Sequence, residues 1–272
     1  MHLKIITIYC LCADFLLAYG YHDDPQARIT SAEVMTTALV AAAFFHGNQE
    51  TSRLFLKEHG YIPTMLSKSR FNRRLHALPE ALWQALFWLL AEIAKQTNVE
   101  GLYVVDSLPV PVCDNIRIRR CRLYQGEEHR GYCASKRRYY WGFKVHLLIT
   151  ATGKPVEMHF TPASRNDLEA FKQFCLDLPP SSEIDADAAY NDYDYEDALR
   201  EVAGIDLVAQ RRCNSKRAHP GYVTFLCQHY RKRVETTFSG ITNWFSRTLH
   251  AVTPAGFELK IVLTVLAYAI LH

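Results

Sequence analysis

The chain has 272 residues, of which 49% are hydrophobic and 22% are charged, and its formal net charge is +3. That apolar content is enough for a packed core and argues against a disordered chain, while so weak a positive charge does not by itself indicate a nucleic-acid partner. The eight cysteines form no CxxC pair and no Cys/His zinc spacing, so we expect free thiols in a reducing cytosol rather than disulfides or a structural zinc site.

The first 98 residues are predicted to be helical. Residues 3–21 are mostly apolar, but Asp14 interrupts the run and no small-x-small cleavage site precedes His22, which favours a buried helix over a signal peptide or membrane anchor. From residue 30 to about 96 apolar residues recur at helical spacing, and Thr30 with Glu33 fits a capping box. The apolar tail 261–271 is too short to span a bilayer, so we expect a soluble cytoplasmic protein.

A basic stretch, residues 67–74, opens one of these predicted helices. Several short helices with a basic one among them are compatible with a helix-turn-helix-like DNA-binding unit. Helices with solvated Lys and Arg are equally common packing units. The sequence leaves both interpretations open.

The pattern changes after residue 98 to apolar runs of strand length, separated by helical segments. The predicted strands are residues 102–106, 139–150, 155–160, 184–187 and 205–209, and the predicted helices are residues 167–176, 193–202 and 228–249. Strands followed by strand–helix alternation predict an α/β domain, a mixed sheet flanked by helices. We therefore expect two domains, a helical region at 1–98 and an α/β domain at 99–272.

Three isolated carboxylates stand out in this second domain. Asp106 and Asp187 each end an apolar run, and Glu235 lies in the last predicted helix. Two strands and a helix can bring such groups to one edge of a sheet, where they would repel each other unless a cation lay between them. Oxygen ligands suit Mg²⁺ or Mn²⁺ better than zinc, and such ions catalyse phosphoryl displacement. The pattern therefore indicates phosphodiester chemistry.

Three segments resemble the motifs of bacterial insertion-sequence transposases with a DDE active site, closest to insertion sequence group nine-eight-two. They are Val104–Asn115, Ile184–Tyr193 and His229–Phe238, and the similarity covers most of residues 101–272. It implies a ribonuclease H-like catalytic domain at 99–272, with Asp106 on the first strand, Asp187 at the end of the fourth and Glu235 on a helix after the fifth. These three would be the catalytic and metal-binding residues, with Mg²⁺ as cofactor and Mn²⁺ as a substitute.

The resemblance also implies the reaction and the partners. Water would cleave the DNA at the ends of an insertion sequence, and the freed 3′-hydroxyl would attack target DNA. The partners would be double-stranded terminal inverted repeats and target DNA, bound by a homodimer associated with the bacterial nucleoid. A metal-dependent nuclease without strand transfer, or an inactive protein that only binds terminal repeats, stays open.

Two details of the second motif leave alternatives open. Ala188 stands where such families commonly have a lysine or another polar residue, which favours the inactive alternative. Asp185 lies two residues before Asp187, on the same face of a strand. Asp187 is preferred because Tyr190 completes the Asp-x-x-Tyr pattern of the motif, and Asp185 remains the alternative.

Basic residues interleaved with aromatic ones follow the first predicted strand, and a second basic stretch follows the fifth. Positive charge beside aromatic rings would neutralise phosphates and let unpaired bases stack. Surface solubility and packing in the strand are the competing explanations. The predicted DNA-binding residues are Arg117, Arg119, Arg120, Arg122, Lys136, Arg137, Arg138, Lys144, Arg211, Arg212, Tyr230, Arg231 and Arg233.

Overall fold

The computed structural model of the protein describes residues 1–133, 137–244 and 251–272, with side chains for all of these except 231–234. The helices are α1 (His2–Tyr19), α2 (Ser31–Phe44), α3 (Gln49–Glu58), α4 (Lys68–His76), α5 (Glu80–Gln96), α6 (Asp167–Phe171), α7 (Tyr193–Ala203), α8 (Gly221–Trp244) and α9 (Pro254–Leu271). The strands are β1 (Leu102–Asp114), β2 (Arg130–Cys133), β3 (Arg138–Thr150), β4 (Pro155–Pro162), β5 (Glu183–Ala186) and β6 (Asp206–Ala209).

The chain divides into two compact units, one made of residues 1–88 and 243–272 and the other of residues 89–242. In the first unit α1, α3, α4 and α9 all contact α2. Every residue of α2 from 34 to 42 is buried, as expected for a helix that is apolar on all sides and lies at the centre of a bundle. The predicted capping box is confirmed: the Glu33 amide donates to the Thr30 hydroxyl, and the Thr30 amide donates to the Glu33 carboxylate.

Two helices of the first unit, α1 and α9, are long and apolar enough to cross a membrane by length and composition. The helix that contains the predicted apolar tail 261–271 is longer than the tail itself, because it begins at Pro254 and has 18 residues. All thirteen residues of α9 from Leu259 to Leu271 are buried or half-buried. In α1 one stripe is buried, while Leu3 and Leu17 on the remaining surface are 76% and 81% exposed. The predicted burial of α1 therefore holds for one face.

The second unit contains a mixed sheet in which six strands are described. The strand order is β2-β3-β1-β5-β6, and β4 pairs with β3 alongside β2. β1, β5 and β6 run parallel, while β3 is antiparallel to each of its partners. The sequence-predicted α/β architecture is confirmed, with one strand, β2, that was not predicted and a helix α6 that is shorter than its predicted range of 167–176.

One face of the sheet carries the main core of this unit. Side chains at alternate positions of β1 and β5, such as Tyr103, Val105 and Ile184, pack against helical residues that include Phe171 and Tyr190. All five are at most 1% exposed. Because side chains of a strand alternate between faces, Asp106, Asp185 and the position of Asp187 belong to the opposite face.

β1 extends eight residues beyond Asp106, although the sequence predicted that it ends there. Pro109 and Pro111 lie in this extension, where β5 no longer pairs with β1 and a missing amide hydrogen is tolerated at the free edge. A β-bulge between Pro111 and Cys113 faces Gly142. A Cβ atom at Gly142 would lie 2.2 Å from the Val110 carbonyl oxygen, so only glycine fits this close approach.

Candidate active site

Asp106 and Asp187 lie side by side where the parallel part of the sheet ends. Val104 of β1 pairs with Asp185 of β5, and continuing that parallel register by two residues places Asp187 opposite Asp106. Neighbouring strands are about 5 Å apart, so the two carboxylates share one face at one level. Both residues are half-buried.

Local backbone hydrogen bonds orient these two carboxylates. The amide of Ser107 donates to Asp106 Oδ1 at 2.7 Å. Asp187 caps the 3-10 turn that follows β5, and its Oδ1 accepts from the amide of Ala189 at 2.7 Å. This turn delivers Tyr190 to the core, where its ring meets Phe171 edge to face. The Asp-x-x-Tyr spacing therefore means that the burial of Tyr190 in the core helps to fix the position of the Asp187 carboxylate.

A small cleft joins these residues to side chains that the sequence did not single out. It is lined by Val104, Val105, Asp106, Asp185, Ala186, Asp187, Gln210 and Cys227. Asp185 is only 4% exposed, and within the described residues its oxygens have no hydrogen-bond partner apart from the weakly donating thiol of Cys227. Cys227 comes from α8. No sequence signal distinguished Cys227 or Gln210 from ordinary helix and loop residues.

The cleft is electrostatically negative. Burial, and then the neighbouring Glu183 carboxylate, raises the pKa of Asp185 to about 6, although the Cys227 thiol opposes the shift. Burial, and then the carboxylates of Asp185 and Glu183, raises the pKa of Cys227 to about 12, so this thiol is not a nucleophile at neutral pH.

Glu235 does not line this cleft. It is an exposed residue of α8, eight positions after Cys227, which corresponds to about 12 Å along a helix. Two residues further on, Thr237 packs against Gly153 in the turn after β3. That turn lies beside the start of β1, since the Ala151 amide donates to the Leu102 carbonyl. The structure therefore brings Asp106 and Asp187 together and places Glu235 toward the other end of the sheet.

The chemistry of the donors fits a hard divalent cation, but they are not preassembled around one. Three aspartates line the cleft, and the two buried oxygens of Asp185 lack the partners that buried charges require. Within the described residues, no three His, Cys, Asp or Glu side chains are already grouped as metal ligands. Mutual repulsion between carboxylates opposes such a grouping, and a cation between them would reverse it.

A comparison with protein-family profiles finds a match to the family described as transposase DDE domain, over residues 98–270. The chain belongs to this transposase family. Searches of curated proteins and of solved structures find no significant match. The matched range contains β1, β5 and α8, and therefore all three carboxylates of the predicted triad. Assignment to insertion sequence group nine-eight-two stays a prediction.

The transposase's predicted DNA-binding residues fall into an exposed group, a group engaged inside the protein and a few others. The first group is exposed. All its members except Arg212, which follows β6, belong to the segments at the end of the β1 extension or at the start of β3, and this extension continues about 26 Å past Asp106. A 3-10 turn at residues 115–120 follows this strand and carries much of the charge. The exposed members are Arg117, Arg119, Arg120, Arg122, Arg137, Arg138 and Arg212.

The second group is engaged inside the protein. Arg211 forms a two-pronged ion pair with Glu196, and only 10% of its side chain is exposed. Lys144 donates to Asp167 at 3.0 Å and to the carbonyl of Arg165 at 2.9 Å. These contacts give both residues a structural role, and DNA contact by either would require its internal contacts to break.

Arg138 of the first group is exposed but pairs with Asp114 at 3.2 Å. Among the other predicted residues, only the side chain of Tyr230 is described. Tyr230 is half-buried on α8, with its ring 5.9 Å from that of His229. The side chains of Arg231 and Arg233, and all of Lys136, lie outside the described residues. Their predicted DNA contacts stay predictions.

The exposed arginines yield a measurable expectation. Replacing Arg119 by Ala is expected to weaken binding to any duplex, and to reduce the slope of log K against log salt concentration by about one, because one phosphate contact is lost. Arg200→Ala is the matched control, since Arg200 lies at the end of α7, pairs with Asp206 and is 67% exposed in its side chain. Equal slopes for Arg119→Ala and the wild type, measured by fluorescence anisotropy, would remove Arg119 from the interface.

Proposed function

We propose that this transposase cleaves DNA at the ends of an insertion sequence and joins the freed ends to target DNA. The observation that carries the proposal is the placement of Asp106 and Asp187 at one level of two neighbouring parallel strands, within a chain of the transposase DDE domain family. The mixed sheet with three parallel strands and flanking helices supports a ribonuclease H-like catalytic domain.

Asp106 and Asp187 are proposed to bind Mg²⁺, or Mn²⁺ in its place. A bound divalent cation supplies activation of the attacking oxygen and stabilisation of the leaving oxygen in a phosphoryl displacement. The chain's own contribution is to hold both carboxylates in place through the Ser107 and Ala189 amides. Glu235 is proposed as the third member of the catalytic set, although it lies about 12 Å along α8 from Cys227, the residue of that helix that lines the cleft.

The DNA is proposed to run along the exposed arginines at the end of the sheet where the two aspartates lie. Because β1 continues past Asp106 into the 3-10 turn at 115–120, the positive charge of that turn follows the cleft along the strand direction. Coordinated cleavage of two ends is best served by a homodimer on DNA, and such a protein would act in the bacterial cytoplasm at the nucleoid. The helical region 1–98, most of which forms one compact unit with residues 243–272, is proposed to contribute DNA contacts through the exposed basic surface of α4.

The decisive experiment incubates the full-length protein with Mg²⁺, a labelled duplex bearing the element's end, and an unlabelled target plasmid. We expect nicks at the end of the element and labelled plasmid from strand transfer. Glu235→Gln is expected to lose both products and to keep binding to the labelled duplex. Defined nicks without labelled plasmid would instead indicate a nuclease without strand transfer.

The position of Glu235 specifically favours one other function, an inactive protein that binds terminal repeats. It predicts tight binding of the labelled duplex and no Mg²⁺-dependent nicking by the wild type. Ala188, which lacks a polar side chain next to Asp187, is compatible with the same outcome. Nicking by the wild type would eliminate this alternative.

A further inference from the structure

Asp185 is a buried carboxylate that internal contacts leave unsatisfied. It is 4% exposed, and within the described residues its oxygens have no hydrogen-bond partner apart from the weakly donating thiol of Cys227. An unpaired buried charge is strongly unfavourable, and folded proteins normally supply an ion pair, several hydrogen bonds or a metal ion. Glu196 in the same unit shows the usual solution, because it is 8% exposed and is paired with Arg211.

The groups around Asp185 do not replace such a partner. The Cys227 thiol of α8 interacts with the Asp185 carboxylate, but a thiol is a weak hydrogen-bond donor. Its neighbours on the sheet are Val104 and Val208, which are opposite it in the β1 and β6 registers. What Asp185 does share is a cleft with Asp106 and Asp187, whose side chains lie on the same face one step further along the strands.

We propose that Asp185 is a third ligand of a divalent cation held in this cleft by Asp106 and Asp187, and that it binds the cation before DNA is present. This inference rests on the proposed metal-dependent function. It assigns to Asp185 the place that Glu235 does not occupy here, because α8 presents Cys227 rather than a carboxylate to the cleft. Glu235 would then serve the metal site in the DNA complex, whereas Asp185 would serve it in the DNA-free protein.

Calorimetric titration of the full-length, DNA-free protein with Mn²⁺ tests this assignment. Loss even of outer-shell groups commonly lowers metal affinity about 10- to 100-fold, so Asp185→Asn is expected to weaken Mn²⁺ binding at least about tenfold. Glu183→Gln is the matched control: it removes a carboxylate from the same face of β5, two residues before Asp185, but Glu183 is exposed and does not line the cleft. Its affinity for Mn²⁺ should equal that of the wild type.

Thermal unfolding in EDTA separates ligand loss from misfolding. Asp185→Asn should unfold at or above the wild-type temperature, because it replaces a buried unpaired carboxylate by a neutral group of the same shape. Adding Mn²⁺ should then raise the unfolding temperature of the wild type and of Glu183→Gln, but that of Asp185→Asn much less.

If Asp185→Asn does not fold, a second test uses the wild type alone. Fe²⁺ bound in the cleft, with ascorbate and peroxide, is expected to cleave the chain near residues 104–106 and 185–187.

Failure of the inference and failure of the proposed function give different results. Wild-type Mn²⁺ affinity in Asp185→Asn, or Fe²⁺-dependent cleavage confined to other residues, would overturn the assignment of Asp185 whatever the nicking assay gives. Weakened Mn²⁺ binding in Asp185→Asn would support it even if the wild type does not nick DNA, and in that case only the proposed reaction would be lost.

Discussion

Replacement of Asp106 by Asn is expected to lower the rate of Mg²⁺-dependent nicking at the element's end by at least about a thousandfold, with DNA binding retained. Asn keeps the size of the side chain and an oxygen, but it loses the negative charge that faces Asp187 across the strand pair. A metal ion contributes several kcal/mol to transition-state stabilisation, and about 4 kcal/mol corresponds to roughly a thousandfold in rate. Single-turnover nicking and fluorescence anisotropy on the same duplex would measure the two quantities.

Asp177→Asn provides the control for this prediction. It also replaces one aspartate by Asn, but the Asp177 side chain is 84% exposed and does not line the cleft. We expect wild-type nicking from this variant. Undiminished nicking by Asp106→Asn would show that Asp106 is outside the catalytic set, and the assignment of Asp187 by the same register argument would lose its support.

The neighbouring positions of the two aspartates could be anticipated because they depend on local patterns. Each aspartate follows a short apolar run, and parallel strands place the residues at their carboxyl ends at one edge of the sheet. The 3-10 turn after Asp187 and the burial of Tyr190 agree with the Asp-x-x-Tyr pattern. Strand pairing therefore fixes where the two aspartates lie relative to each other once their positions in the sequence are known.

The position of Glu235 could not be anticipated in the same way. A sequence pattern identifies α8 as a helix, but the level at which a helix lies along a sheet is set by packing with distant residues, here Cys227 at the cleft and Thr237 at Gly153. The extension of β1 was missed for a different reason. Pro109 and Pro111 count against a strand in general, and the sequence does not reveal that this part of the strand has a free edge.

Charge patterns proved least informative about which basic residues are available for DNA. Arg211 and Arg212 are adjacent in the sequence and were predicted to act alike. In the structure, the guanidinium of Arg211 lies against Glu196 and 5.0 Å from the centre of the Tyr193 ring, while Arg212 is exposed. Burial and pairing decide the role of each arginine, and both depend on how α7 packs beside β6.

Arg211→Ala is accordingly expected to lower the free energy of unfolding by about 3–5 kcal/mol, because it leaves the buried Glu196 carboxylate without its partner. Arg211 also donates to the side chain of Asn191, which in turn donates to the carbonyl of Gln210 at the cleft. Urea denaturation would measure the change. Arg212→Ala is the matched control, with unfolding free energy within about 0.5 kcal/mol of the wild type.

The salt dependence of DNA binding should be affected by Arg212→Ala and not by Arg211→Ala, the reverse of the effect on stability. Arg212→Ala is expected to reduce the salt slope of duplex binding by about one, whereas folded Arg211→Ala should keep the wild-type slope. A double variant with Glu196→Gln and Arg211→Ala should be more stable than the sum of the two single losses predicts, because removing both charges leaves neither one buried alone. A stable Arg211→Ala protein with a reduced salt slope would instead mean that Arg211 leaves Glu196 to bind phosphate.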